Sequence, residues 1–321
     1  MLKRLLPAAF IAALCAVSVA PADANDFPTR PVRLITPYAA GGGIDILTRS
    51  LAQGLSQAWN QQVIVDNRPG AGSTIGNAVV AKAAPDGYTL LISANAMAIG
   101  PVVYKSLPYD IRRDFIPISL VGTSPEVLTV NSASGVRSLA DLQARARAGK
   151  TNYGSAGSGT LAHLAAESFN RRLGLGAQHI SYKGSNPALI DLMAGQVDWL
   201  FDSPAAVLQQ VQSGKLKALA VAAPGRTPQL PDVPTLAELG YPELDFLIWV
   251  GVMAPAGTPE AIVRRIESSL RAHLDATATR SAVAALGWDV APLGQQAFAK
   301  FYETEIVKLG EAARNAGVKA D

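Results

Sequence analysis

The stretch VRLITPYAAGGGID, residues 32–45, decides the fold of this chain. Its first five residues, Val32–Thr36, are the apolar and β-branched residues of a buried strand, and Pro37 closes that strand. Three glycines then lead into residues 45–59, where apolar side chains recur at helical spacing. A strand that passes through a glycine-rich turn into a helix is the repeating unit of an α/β fold with parallel strands.

Outward from this unit, short β-branched runs and helical patterns alternate along almost the whole chain. The order changes near residue 120, where residues 116–121 and 127–130 predict two consecutive strands with little between them. A second βα series follows and ends in a strand at 216–222. A proline-rich segment, one further strand and two terminal helices complete the prediction.

This order predicts an α/β protein of two lobes, the second inserted into the first. We expect residues 25–122 and 226–321 to form the first lobe and residues 123–225 to form the second. The chain then crosses between the lobes near 122–125 and 222–226, and two such crossings make a hinge. The cleft between the lobes is the expected ligand site.

Residues 1–24 read as a cleavable secretory signal peptide. Two basic residues precede an apolar run at 5–20, and Ala22-Asp23-Ala24 is the small-x-small pattern of a cleavage site. That run is shorter than the roughly 20 apolar residues of a spanning helix. The mature chain is therefore expected to begin near Asn25 and to be soluble in the periplasm.

The single cysteine, Cys15, lies inside this apolar run. A lipoprotein alternative would make it the acylated first residue, but Leu14 stands before it, where lipoprotein processing requires a small side chain. Cleavage after residue 24 leaves a mature chain without cysteine. We therefore expect neither a disulfide nor a thiolate catalyst.

Composition narrows the class of ligand. Hydrophobic residues make up 49% and charged residues 17%, as in a compact globular protein, and the formal charge of +3 mildly favours an acidic small molecule. Aromatic residues are 6% and are not interleaved with Lys and Arg, so nucleic-acid binding is not expected. His163, His179 and His273 lack metal-ligand spacing, so neither a metal nor a cofactor is predicted.

Two glycine loops carry the binding prediction. In residues 38–45, glycines expose backbone N–H groups beside a helix N-terminus, which favours a carboxylate. The alternative is a tight turn, and Arg49 is expected to pair with Asp45 one helical turn away. The second loop, residues 153–160, occupies the equivalent position in the inserted lobe. It has the glycine spacing of a phosphate loop, but Thr160 stands where that loop needs lysine.

The alternative for the second loop is that it only caps the following helix as a flexible segment.

Residues 70–76 come near the dinucleotide fingerprint, but Ile75 occupies the place of its third glycine, so this segment is interpreted as structural. No serine sits in a nucleophile elbow. A secreted hydrolase using Ser155 or Ser158 with His163 as base is the enzymatic alternative.

The residues predicted to bind ligand lie on these loops or end strands of the inserted lobe. They are Tyr38, Ala39, Gly42, Gly43, Asp45, Ser73, Gly154, Ser155, Ala156, Gly157, Ser158, Gly159, Thr160, His163, Tyr182 and Asp202.

Several motifs in one order resemble the tripartite tricarboxylate transporter receptors, also called the Bug family of periplasmic solute-binding proteins. The resemblance runs from about Pro31 to Gly287. Its motifs are residues 41–45 with Arg49, residues 67–72 with Gly76, residues 84–90, residues 154–160 with His163, residues 182–184, residues 195–198, and residues 230–235 with Glu238 and Gly240.

The resemblance implies a type II periplasmic-binding-protein fold that holds a small carboxylate between two lobes, mainly through the two glycine loops. It also implies delivery to the permease subunits of a membrane transporter by a non-enzymatic, monomeric receptor. A sensor that presents its closed form to a signalling partner remains an alternative. Ser73 stands where the family usually has glycine and Ser181 where it usually has proline.

Overall fold

The computed structural model describes residues 26–319. The signal peptide predicted for residues 1–24 lies outside this range. The strands within it are β1 Val32–Thr36, β2 Val63–Asn67, β3 Thr89–Ala94, β4 Phe115–Asn131, β5 Asn152–Ser155, β6 Gln178–Ser181, β7 Trp199–Asp202, β8 Leu216–Ala222 and β9 Leu247–Pro255. The α-helices are α1 Gly43–Trp59, α2 Thr74–Ala81, α3 Asn95–Val103, α4 Leu139–Ala148, α5 Leu161–Leu173, α6 Ser185–Met193, α7 Pro204–Gln212, α8 Glu260–Asp275, α9 Thr277–Ala285 and α10 Gln295–Ala316.

The first lobe is built on a mixed sheet in the order β2-β1-β3-β9-β4. Strand β1 is parallel to both of its neighbours, whereas β9 is antiparallel to β3 and β4. Helix α1 follows β1 and packs its buried face, including Leu47, Leu51 and Leu55, into the core. The helical spacing of these leucines is the pattern from which α1 was predicted.

The second lobe repeats the βα arrangement. Strands β5, β6 and β7 run parallel, and β7 and β8 flank the far half of β4 in antiparallel pairing. Between sheet and helices lies an aromatic cluster in which the ring centroids of Tyr153 and Trp199 are 4.7 Å apart and those of Phe169 and Trp199 are 5.3 Å apart. Both lobes therefore direct the carboxyl ends of parallel strands toward the space between them.

Strand β4 joins the two lobes without interruption. The prediction of two separate strands, 116–121 and 127–130, was wrong because residues 122–126 are also extended. Pairing with β9 continues through Pro125, opposite Leu247, and pairing with β8 begins at Glu126, opposite Ala222. The first crossing between lobes is therefore a hydrogen-bonded strand.

The second crossing lies between β8 and β9. The segment after β8 stays beside it, since Thr235 forms a parallel bridge with Val221. The Phe246 amide then donates to the Ala222 carbonyl over 3.2 Å, immediately before β9 starts at Leu247. The lobe boundaries at residues 122–123 and 225–226 stay predictions.

Two helices were not predicted. Helix α3 is apolar on nearly every side and contains Gly100 and Pro101, so it lacks the amphipathic period that reveals a surface helix. The carboxyl-terminal region forms α8, α9 and α10 rather than two helices, because the chain breaks at Ala276 between α8 and α9. No helix within residues 26–319 combines the length and apolar character that a membrane crossing requires.

Candidate functional site

A cavity of about 630 Å³ lies between the two lobes. Its walls come from the loops that follow β1, β2 and β3 in the first lobe and β5, β6 and β7 in the second. Ligands of open α/β sheets bind beyond the carboxyl ends of the strands. The two lobes present this kind of edge to each other, so the cavity is the candidate site.

Most of the residues predicted to bind ligand line this cavity. They are Tyr38, Ala39, Gly42, Gly43, Asp45, Ser73, Ala156, Gly157, Ser158, Thr160, Tyr182 and Asp202. The structure thus brings both glycine loops to one space from opposite lobes.

The first glycine loop is held in place by Asp45. This carboxylate is 2% exposed and accepts hydrogen bonds from the Gly41 amide at 2.9 Å and from Asn67 Nδ2 at 2.8 Å. Asn67 Nδ2 also donates to the Tyr38 carbonyl at 3.0 Å. Arg49 Nε donates to Asp45 at 2.9 Å, which confirms the predicted pairing.

These contacts determine the charge of Asp45. Burial acts to raise its pKa, but the hydrogen bonds from Arg49, Gly41 and Asn67 outweigh burial, and the pKa is lowered. The carboxylate is ionised and fully engaged with the protein. Asp45 therefore lines the cavity as the residue that orders the glycine loop, with its acceptor capacity already used.

The second glycine loop is ordered by hydroxyl groups. The Thr160 hydroxyl accepts from the His163 amide at 3.3 Å and donates to the Gly157 carbonyl at 2.7 Å. The Ser158 amide donates to Ser181 Oγ at 3.1 Å. Ser181 thus connects the end of β6 to this loop.

Gly154, Ser155, Gly159 and His163 do not line the cavity. They lie behind the loop: Ser155 Oγ is 2.8 Å from His179 Nε2, and the Gly159 amide donates to His163 Nδ1 at 3.2 Å. The His163 and His179 rings stack with centroids 3.8 Å apart. This arrangement supports the loop from within the lobe, and direct ligand contact by these four residues stays a prediction.

Ser73 enters the wall from the loop after β2. Its φ is 77°, in the left-handed region that favours glycine. Its hydroxyl accepts from Asn77 Nδ2 at 3.1 Å. The serine therefore occupies a glycine conformation and uses its side chain inside its own lobe.

Sequence reasoning missed the wall that follows β3, formed by Ala94, Asn95 and Ala96. It was missed because α3, which begins at Asn95, was not predicted. Asn95 Oδ1 accepts a hydrogen bond from the Trp249 amide at 2.9 Å, and Asn95 Nδ2 donates one to the Leu247 carbonyl at 3.0 Å. Asn95 thus fixes the start of α3 against β9, the strand that follows the second crossing.

Four helices begin at the cavity with backbone amides that receive no side-chain cap. Their N-cap residues, Gly42 of α1, Ala94 of α3, Gly184 of α6 and Ser203 of α7, all line the cavity. Unpaired helix N-terminal amides, together with the helix dipole, favour a negative charge. Much of the wall is therefore suited to an anionic group.

Two buried acids border the same cavity. Asp202 accepts from the Ser203 amide at 2.8 Å, and Glu126 on β4 is 2% exposed. Burial raises the pKa of Asp202 to about 6, although hydrogen bonds from Ser185 and Ser203 oppose it. Burial, and then the charge of Asp202, raise the pKa of Glu126 well above its usual range. Glu126 was not predicted as a site residue because it lies within a strand.

The lobes touch each other around the cavity. The Tyr104 hydroxyl of the first lobe donates to the Ser158 carbonyl of the second at 3.1 Å. A Cβ atom placed on Gly43 would lie 2.7 Å from Ser203 Oγ in the opposite lobe. The glycine at this position therefore permits the close approach of the two loops.

The chain matches the family described as "Tripartite tricarboxylate transporter family receptor" over residues 47–318. Protein BugT of Bordetella pertussis is 38% identical over 322 residues, covering 99% of each chain. The structure of periplasmic binding protein BugD has a TM-score of 0.87 at 34% identity, covering 92% of this chain and 100% of that chain. Rpa4515 from R. palustris, solved with adipate, has a TM-score of 0.88 at 33% identity, covering 91% and 99%.

Proposed function

Because the chain belongs to the tripartite tricarboxylate transporter receptor family, we propose that it captures a small organic carboxylate between its lobes and delivers it to the permease subunits of a membrane transporter. The family consists of solute-binding proteins, so the chain is not an enzyme, and the serine hydrolase alternative does not hold. A periplasmic site of action, reached by secretion with cleavage near residue 24, is part of this proposal.

One observation carries the proposal: four uncapped helix N-termini and two glycine loops converge on one cavity from both lobes. A ligand can shift a two-lobe equilibrium only by binding one state better than the other. A carboxylate that contacts amides from both lobes meets this condition, because it binds a form in which the lobes touch better than a form in which they are apart. The structural relative solved with adipate gives the same ligand class.

We assign ligand contact to the cavity-lining members of the two loops. The first-lobe contacts come from residues 38–40 with Gly42 and Gly43, and the second-lobe contacts come from residues 156–158 with Thr160 and Tyr182. Asp45 and Arg49 act behind the first loop, since their charges already pair with each other. Delivery to the permease would follow from recognition of the form in which the lobes touch.

The proposal is tested by thermal unfolding of the mature protein against a panel of mono-, di- and tricarboxylates at millimolar concentration. An acid present at 100 times its Kd stabilises a protein by about 2.7 kcal/mol, which raises Tm by several degrees. Matched alcohols and amides of the same carbon skeleton serve as controls and should leave Tm unchanged. A flat response to every acid contradicts the proposal.

Delivery requires a separate measurement. We expect cells that lack this receptor to lose uptake of the acid that gives the largest Tm rise, and the intact receptor gene to restore it. Unchanged uptake in the deletion strain would instead favour the signalling alternative.

A further inference from the structure

Glu126 occupies an unusual place for an acid. It lies on β4 at the point where the strand leaves its pairing with β9 and enters its pairing with β8. Glu126 lines the cavity and is 2% exposed. A buried acid at the crossing between two lobes can sense a ligand that lies between them.

One oxygen of the Glu126 carboxyl lacks a hydrogen-bond partner within the described part of the protein. Its Oε2 atom is buried and forms no hydrogen bond with any residue in the range 26–319. The charged group that acts on it is Asp202, which has the same sign. Asp202 itself receives hydrogen bonds from Ser185 and Ser203, so it has donors that Glu126 lacks.

Asp45 provides the comparison within the same cavity. It is equally buried, yet it accepts from Gly41, Asn67 and Arg49. Buried carboxyl groups are normally satisfied in this way, because an unsatisfied one costs free energy. The contrast indicates that the partner of Glu126 comes from outside the protein.

The chemistry of that partner follows from the wall around it. A second acid beside Glu126 disfavours another anionic group there and favours a donor that carries positive charge. The uncapped helix amides that line the same cavity favour a carboxylate. The cavity therefore offers groups that suit an anion together with groups that suit a cation.

We propose that Glu126, with Asp202 beside it, forms a subsite for a protonated nitrogen, so that the receptor selects an acid bearing an ammonium group over a plain dicarboxylate. This inference rests on the proposed function, because it takes the carboxylate end of the ligand as given. It adds the identity of the second functional group and the residue that selects it.

The test uses pairs of acids that differ by one amino group: aspartate and succinate, glutamate and glutarate, 4-aminobutyrate and butyrate. Isothermal titration calorimetry measures the Kd of each for the wild type. In at least one pair we expect the amino member to bind about tenfold tighter or more, as for a charge-assisted hydrogen bond in a buried site.

Glu126→Gln removes the ability to carry a negative charge beside a bound cation and keeps the shape. It should reduce the preference within that pair to threefold or less, with affinity for the plain acid unchanged or increased. Glu126→Met, which removes every acceptor, should have the same effect and guards against a folding defect specific to one variant. The unfolding transition of both variants must stay cooperative.

Three outcomes overturn the inference. If every plain acid binds the wild type as tightly as its amino partner, there is no ammonium subsite, and the proposed function still stands. If Glu126→Gln loses affinity equally for both members of the pair, the substitution has caused a general binding defect and Glu126 does not select the ammonium group. If no acid of either kind binds, the proposed function fails and this inference fails with it.

Discussion

Replacing Gly43 with alanine should weaken ligand binding without weakening the fold. Gly43 is the first residue of α1 and has an ordinary helical conformation, so its backbone accepts alanine. With the lobes in contact, the new Cβ would lie 2.7 Å from Ser203 Oγ and 3.1 Å from Ala205 Cβ. These contacts join opposite lobes, and they disappear when the lobes separate.

The magnitude follows from the size of the overlap. An extra methyl group forced into a packed contact costs about 1–3 kcal/mol, and the Ser203 hydroxyl can rotate to relieve part of it. That penalty falls on the ligand-binding form alone, so we expect affinity to fall by about 5- to 150-fold. The free energy of unfolding should change by less than about 0.5 kcal/mol, because the separated form escapes the contact.

Isothermal titration calorimetry with the acid that gives the largest Tm rise measures the loss. Gly149→Ala is the matched control, since Gly149 has extended backbone and no atom within 4 Å of its added Cβ. Adding Ser203→Ala to Gly43→Ala should restore part of the affinity by removing the shorter contact. Wild-type affinity in Gly43→Ala, or no recovery in the double variant, would refute this reasoning.

Three further substitutions, one of them with a matched control, probe other parts of the site. The pKa of Asp202 is raised to about 6, so its contribution to the free energy of unfolding is full below about pH 4 and is lost as pH rises through about 6. The difference between the folded and unfolded pKa values corresponds to about 3 kcal/mol. Urea unfolding of unliganded Asp202→Asn should therefore lack the loss of stability that the wild type shows between pH 4 and pH 7. Asp45→Asn should lower the free energy of unfolding by about 1–3 kcal/mol, measured by urea unfolding, because the buried network loses its negative charge and one of its two acceptor oxygens. The control Arg49→Gln should cost no more than about 1 kcal/mol, since Arg49 is 53% exposed. Tyr104→Phe removes the hydrogen bond to the Ser158 carbonyl between lobes, so titration calorimetry should show affinity reduced about two- to tenfold with Tm unchanged.

Each of these has a contrary result. A pH dependence in Asp202→Asn equal to that of the wild type would mean that other groups carry it. A loss in Arg49→Gln as large as in Asp45→Asn would place the stability in the ion pair rather than in the loop amides. A lower Tm in Tyr104→Phe would give Tyr104 a role inside its own lobe.

The local elements were largely predictable from the chain. Helices α1, α4 and α5 follow patterns that each segment carries within itself: apolar spacing in α1, and side-chain N-caps at Ser138 and Thr160. The pairing of Arg49 with Asp45 was also predictable, because residues four apart share a helix face. Helix α3 was not predicted, because it is apolar on nearly every side and so its sequence has no amphipathic periodicity.

The site divides in the same way. The two glycine loops could be found from sequence, since a strand, a glycine run and a helix are contiguous. Asn95 and Glu126 could not be found, because each reaches the cavity through pairing with residues far away in the chain: Asn95 through Trp249, and Glu126 through Ala222. No local pattern encodes such a neighbour.

The sequence alone thus determined an α/β chain with two anion-favouring turns, since short-range periodicity and glycine conformation depend only on adjacent residues. The tertiary structure decided that both turns face one cavity, that Gly43 lies against Ser203, and that a buried pair of acids borders the same space. The physical reason is that burial, charge coupling and contact between lobes depend on distances in space. Those distances are set by β4, a single strand that passes through both sheets.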